Sequence, residues 1–470
     1  MRLLSTRLSI LPVVLLCAGC IKAIDAPECL TLSDCPTGKG YSSCEDGHCF
    51  KEGKCSSAGF KPGDACCPPV EGDRTGDSDC LLLAEYFGDN LTVPAFDASA
   101  NLFITYSVLD QTRGSLVRLE RLTPEDLQAI PVKRTYPVVV GGGEVPLPAM
   151  ITRDVTVYAS YDGGVNRYDA STLEIQAEIA SLHPQGGLAF TANGPRSMVA
   201  WPTAGGKVVT YDEDGDTSVT HDLALQLKRP ELAKEQFLAP VVSGNGLRLY
   251  LVTKEGSMVS LEVGANPIGV KASMVLPSPP SAPPVESGGR VFVPVTDGRL
   301  LAYHENEEFG FDLKWTYDLG SKAAGRPLLD DKGNLVIALL NGRVLVIRDS
   351  DSDGILAGEG DFGRDLADVT PMLTDRPRIV ALAAGGASVL TLLRTDDEGV
   401  AAFSEGLRFD LEFSTSATPS LMGSRIFLPL TTSLRLLAWS LVEGLPASGY
   451  PREGGFADNT NQVLLPEDAP

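Results

Sequence analysis

Apolar and polar positions recur in one plan along most of the chain. The plan is visible in VTVYASYDGGVNRYD (155–169), LRLYLVTKEGSMVSLE (247–262), RVFVPVTDGRLLAYH (290–304), NLVIALLNGRVLVIRD (334–349) and RIFLPLTTSLRLLAWS (425–440). Each segment has an apolar lead, often with Pro, and then a polar turn. An alternating strand, a short turn and a second strand follow, and the turn contains Gly in all but the last, where Thr432-Ser433 stands. Asp-Gly and Asn-Gly between β-rich runs predict hairpins, because both residues tolerate the positive φ of a type I′ turn.

The hairpin tips fall at Gly114, Gly163, Gly206, Gly256, Gly298, Gly342, Gly386 and Ser433, spaced 42 to 50 residues apart. A period of about 46 residues fits a four-stranded propeller blade, and helical repeats of similar length would need 3.6-residue patterning that these runs lack. The expected fold is therefore all-β. An eight-bladed β-propeller spans 81–470, and seven blades stays open because Gly114, Gly206 and Ser433 are the weakest tips. A closed ring also answers a physical problem: one small sheet cannot cover both its faces, whereas ring neighbours cover them. Two segments break the rhythm. TPEDLQAI (123–130) reads as a short helix start, and DLALQLKRPELAKEQFLA (222–239) as a helical insertion interrupted before Pro230.

The N-terminus reads as an export signal over 1–19. Arg2 and Arg7 precede the apolar run LSILPVVLL (8–16), too short to span a bilayer as a helix. Cys17-Ala18-Gly19-Cys20 follows and resembles a bacterial lipobox, although Cys17 stands where Leu is usual. That resemblance implies a lipid on Cys20, a tether over 20–28 and a membrane partner reached through the anchor. Ile21 after the cysteine favours an outer-membrane lipoprotein, with the periplasmic or surface side left open. The remaining eight cysteines are Cys29, Cys35, Cys44, Cys49, Cys55, Cys66, Cys67 and Cys80. An even set packed into 29–80 of an exported chain reads as a disulfide-rich module with connectivity undetermined. The segment carries few large apolar residues, so crosslinks would have to replace a core. A zinc module is the rival reading, but Cys44, His48 and Cys49 have poor spacing for it.

Charge narrows the partners. The formal net charge is −22, and no Lys/Arg run interrupts it. Such a field repels nucleic-acid phosphates and anionic lipid head groups, so nucleic acid is excluded as a partner.

The segments VFVPVTDGRLLAYH and LKWTYDLGSKAAGRPLLDDKGNLVIALLNGRVLVI (313–347) resemble tandem PQQ-type propeller repeats, with a strand, a DG turn, a strand and a Trp-containing link. The resemblance is good over 284–347, fair over 148–261 and 371–440, and faint elsewhere. It implies one of two settings. One is a quinoprotein dehydrogenase; the other is a lipid-anchored envelope propeller such as the scaffold lipoprotein of the barrel-assembly machine. Quinoproteins repeat a Trp docking motif in most blades. Here Trp201, Trp315 and Trp439 are the three tryptophans, and Trp315 alone sits in that context, which argues against bound pyrroloquinoline quinone.

Candidate chemistry is sparse. RDSDSDGILAGEGD (348–361) places Asp349, Asp351 and Asp353 at alternate positions before Gly354, with Glu359 downstream: a candidate calcium loop, set against a solvated acidic loop. YDEDGDTS (211–218) is a weaker version. Gly358, Gly360 and Gly363 match a phosphate-loop pattern in letters only, among acids that would repel phosphate. His48, His183, His221 and His304 are scattered, and no nucleophile elbow or zinc-protease motif occurs. The expectation is a non-enzymatic binding or scaffold protein with no required cofactor and a protein or polysaccharide partner. The alternative is a quinoprotein-type or glycan-acting enzyme using the central channel.

Overall fold

The computed structural model describes residues 91–361 with short breaks (98, 111, 113, 124–125, 127–136, 144–145, 154, 192–196, 264, 266, 331–332 and 351). Outside that span it describes the strands of 41–51, 80–87 and 372–439. The chain divides into Met1–Glu52 and Gly53–Pro470. In the first unit Tyr41–Glu45 pairs antiparallel with His48–Lys51.

Among the described residues, the second unit contains seven four-stranded sheets and one five-stranded sheet. The second sheet shows the common plan. Met150–Thr152, Thr156–Tyr161, Gly164–Asp169 and Ile175–Ala180 follow one another as an antiparallel meander. The fourth sheet runs Val241–Val242, Arg248–Val252, Ser257–Glu262 and Gly269–Val275. The fifth runs Val285–Ser287, Arg290–Pro294, Arg299–Glu305 and Phe311–Asp318. The sixth runs Leu328–Leu329, Leu335–Ala338, Arg343–Asp349 and Gly354–Asp361, and Ala401–Ala402 joins its outer edge in parallel. First strands of successive sheets touch: Ala95–Phe96 on Met150–Thr152, and Val241–Val242 on Val285–Ser287.

The last sheet breaks sequence order. Ser420–Met422, Arg425–Pro429 and Ser433–Trp439 are consecutive, but the outer strand is Cys80–Phe87, paired antiparallel with Ser433–Trp439. The first described strand of this unit is thereby hydrogen-bonded to its last described strand, which fastens the two ends of the array together.

Burial departs from the alternation expected of half-exposed strands. The second and third strands are buried on both faces, as in Arg248–Val252, Ser257–Glu262 and Leu335–Ala338. Neighbouring sheets cover both sides, so these strands read as continuous apolar runs. Polar residues return on the outer strand: in Phe311–Asp318 only Trp315 is fully buried. The cores lie between sheets. Phe103 and Val117 meet Val157 and Tyr168, Tyr158 and Val165 meet Trp201 and Val209, and Tyr250 and Met258 meet Phe292 and Leu301.

Asp162-Gly163 is a two-residue turn between the paired Tyr161 and Gly164, as expected, but other tips are longer. Gly298 N donates to Val295 O at 3.0 Å and Val295 N to Arg299 O at 2.8 Å, with Gly298 at φ 84° and Asp297 not at positive φ. This is a three-residue loop, a type I turn closed by a left-handed Gly, and 340–342 repeats it. The first amide of each of these loops is not used within the turn and points at the backbone that leads in from the preceding sheet. Thr296 N donates to Pro279 O at 2.8 Å, Lys254 N to Gln236 O at 2.7 Å, and Leu340 N to Lys322 O at 2.9 Å. Asp162 N to Gly142 O (2.9 Å) and Ala204 N to His183 O (3.1 Å) extend the series. The Gly163, Gly206, Gly256 and Gly298 carbonyls accept in turn from the end of their own sheets, as Gly256 O does from Leu276 N at 2.8 Å and Gly298 O from Leu319 N at 2.8 Å. A belt of backbone hydrogen bonds thus runs along one face.

Candidate functional site

Antiparallel topology gives the array two faces. The turns between second and third strands, and the connections from sheet to sheet, lie on the belted face. The other turns lie on the opposite face.

The opposite face is fastened by charge. Arg248, which opens the second strand of the fourth sheet, donates from Nε to Glu305 at 3.1 Å, at the end of the third strand of the fifth sheet. Arg290 occupies the same place one sheet later and donates from Nη1 to both oxygens of Asp349, at 2.6 and 2.7 Å, in the sixth. Between the second and third sheets, Thr152 and Tyr158 donate to Glu213 Oε1 at 2.6 and 2.7 Å, and Arg153 pairs with Asp214 at 3.1 Å. The Arg153 pair is half exposed and contributes little. The other two are mostly buried.

The structure therefore accounts for much of the acidic segment 348–361. Asp349 also accepts from Trp315 Nε1 at 2.8 Å, and the Trp315 ring packs 5.6 Å from Phe292. Gly354 makes room for that ring: a Cβ there would meet Trp315 at 3.0 Å. Asp353 closes a short turn, its carbonyl accepting from Ser350 N at 2.9 Å and Ser350 Oγ at 2.7 Å. Glu359 accepts from Arg343 Nε at 2.5 Å, which holds its carboxyl below the usual range. Asp351 lies outside the described residues. Among the described residues no three metal-ligating side chains converge. In the weaker acidic segment, Asp212 Oδ1 accepts from Asp214 N and Gly215 N at 3.0 Å each. Replacing Arg290 with Ala is expected to cost about 2–3 kcal/mol, because Asp349 would stay half-sequestered without its cation. Urea denaturation should show it, and R290A/D349A should recover part of the loss in a double-mutant cycle.

The histidines do not assemble. His221 is buried against Thr210 Oγ1 at 3.0 Å, its pKa lowered by desolvation. His183 sits 3.9 Å from Asp162, and His304 bonds Gly289 O at 2.8 Å. Cys20 and Cys29, Cys35, Cys55, Cys66 and Cys67 lie outside the described residues. Cys44 and Cys49 fall in the first-unit hairpin, and Cys80 opens the closing strand.

The belted face presents exposed leucines. Leu109, beside the first tip, is 77% exposed; Leu182, in the connection after Ile175–Ala180, is 64% exposed. Leu225 is 75% exposed and belongs to the insertion after the third sheet. That insertion is helical in two pieces, Leu223–Gln226 and Pro230–Lys234, split before Pro230 as its sequence predicts. Asp222 caps the first piece by accepting from Leu225 N at 2.9 Å. Buried Leu223 and Leu232, with Leu223 N bonded to Gly206 O at 3.0 Å, seat it over the third tip. Sequence reasoning marked the insertion but missed the leucines. The available signal was an apolar residue beside a polar tip or on the outer side of a capped helix.

No protein-family profile and no curated protein sequence matches the chain. Solved structures do. Sqt1 from Chaetomium thermophilum superposes with a TM-score of 0.56 at 13% identity, over 77% of this chain and 99% of that one. The computationally designed Ika8 protein gives 0.54 at 13% identity over 76% and 99%, and the C-terminal WD40 domain of Sif2 gives 0.51 at 8% over 76% and 97%. At such identities the likeness shows the fold alone, and the body is a β-propeller. BamB from Moraxella catarrhalis superposes at 0.39 and 13% identity over 62% and 96%, too weakly to carry an argument.

Proposed function

We propose that the protein is a lipid-anchored envelope scaffold that binds a protein partner on the belted face of an eight-bladed ring. The observation that carries this reading is the set of exposed leucines, Leu109 at a strand end, Leu182 in a connection and Leu225 on a short helix, each on backbone fixed by hydrogen bonds. Ordered backbone that holds apolar side chains in water loses little entropy when a partner covers them. Blade count rests on the eight tips that the sequence repeats at a spacing of 42 to 50 residues. The anchor rests on Cys17-Ala18-Gly19-Cys20, and the outer membrane on Ile21. The PQQ-type repeat stays a resemblance of sequence, and with Trp315 alone in the docking context it supports a scaffold over a quinoprotein.

The test is affinity capture from detergent-solubilised envelopes with the native chain and with Leu109→Ser/Leu182→Ser/Leu225→Ser. A stoichiometric partner should be retained by the native chain and weakened at least about tenfold by the triple variant, since burying even one leucine is worth about 1.5–3 kcal/mol. Because all three side chains are exposed, the variant's unfolding midpoint should stay unchanged. Equal capture by both proteins would overturn the proposed face. Capture of no partner would overturn the scaffold reading.

A further inference from the structure

We infer that Cys44 and Cys49 form one disulfide with each other, a staple across the N-terminal hairpin. The inference rests on the reading of the chain as exported to an oxidising compartment. Eight cysteines leave the pairing open by sequence alone, but strand register does not. Tyr41–Glu45 runs antiparallel to His48–Lys51, and Cys44 stands directly opposite Cys49. Glu45 opposes His48, with Asp46 and Gly47 between them in sequence. A hairpin closed by two residues has a hydrogen-bonded closing pair, so the next pair outward is of the non-hydrogen-bonded kind. That kind brings opposed Cα atoms to about 4.5 Å, within the range of about 4.4–6.8 Å that a disulfide spans.

The hairpin also needs a fastening. A two-stranded ribbon is marginal by itself in water, and YSSCE and HCFK offer little apolar surface to bury. In the reaction the two thiols lose two protons and two electrons and one S–S bond forms. The electrons pass to a disulfide oxidant, protein or small molecule, whose own S–S bond is reduced to two thiols.

The sequence supplies its own assay. Cleavage after Lys39 and Lys51 releases GYSSCEDGHCFK, which contains Cys44, Cys49 and no other cysteine. Full-length protein is taken from envelopes, alkylated without reduction, digested with trypsin and weighed. The expected product is this peptide alone, two hydrogens lighter than its dithiol form and without alkyl groups. Finding it joined to a second peptide would overturn the pairing and leave export standing. Free, alkylated Cys44 and Cys49 beside oxidised remaining cysteines would do the same. Alkylation of every cysteine would overturn both the pairing and the exported reading. Cys44→Ser adds a check: the one new alkylatable thiol should be Cys49 in the same peptide, whereas any other pairing exposes a thiol elsewhere.

Discussion

A chain lacking residues 80–87 is expected to lose cooperative folding of the propeller. Cys80–Phe87 supplies the outer strand of the sheet that otherwise consists of C-terminal strands, through seven register pairs from Cys80 opposite Trp439 to Phe87 opposite Ser433. A backbone hydrogen bond contributes about 1 kcal/mol net, so a ladder of this length is worth on the order of the 5–15 kcal/mol that stabilises a whole domain. Removal also bares Ser433–Trp439 as an unpaired edge, which favours association with other chains. Chains beginning at 80 and at 88 should therefore differ sharply. The longer should give one steep urea transition and a monomeric elution volume. The shorter should give a broad, shifted transition and higher-mass species. Matching transitions would mean that the ring does not depend on this clasp.

How much of this was legible in the sequence depends on the range of each interaction. The tips were legible, because a left-handed Gly leaves a local mark in VTDGRL and LLNGRV. The insertion after Asp222 was legible for the same reason, since capping and the Pro230 break are local. The burial of both faces of the middle strands was not separated from alternation, because the cover comes from sheets some 40 to 50 residues away in sequence. The belt was invisible, because it is made of backbone and leaves no side-chain signature. Asp349 shows the limit most clearly. Its local spacing with Asp351 and Asp353 reads as a cation loop, whereas its partners are Arg290, 59 residues back, and Trp315, 34 back. A repeat-aware reading had one usable clue: Arg248 and Arg290 both open a second strand, and each has an acid at the end of the next sheet's third strand.

The second large effect concerns Glu286. Its carboxyl is buried in the first strand of the fifth sheet, and it accepts from Gly244 N at 2.9 Å and Gly289 N at 2.7 Å. Those donors favour the anion, but burial dominates, the nearby Glu305 carboxylate adds to it, and the pKa is pushed up to about 7. Tyr250 and Arg248 complete the polar surroundings, both engaged with Glu305. Between the ordinary glutamate pKa and about 7 the folded chain keeps a proton that the unfolded chain has released. This group's contribution to stability therefore falls as pH rises through that window and levels off above it. At about 1.4 kcal/mol per pKa unit, the loss is on the order of 3 kcal/mol. Glu286→Gln removes the ionisation and keeps one acceptor oxygen; the amide that loses its acceptor adds a cost that does not depend on pH. Urea midpoints for the native chain and E286Q at about pH 5 and about pH 8 isolate the contribution, since every other titrating group cancels in the difference. The variant should gain on the native chain by that amount on going to the higher pH. A difference that does not change with pH would mean that Glu286 titrates alike in the folded and unfolded chains, and that the interface between the fourth and fifth sheets admits solvent to it.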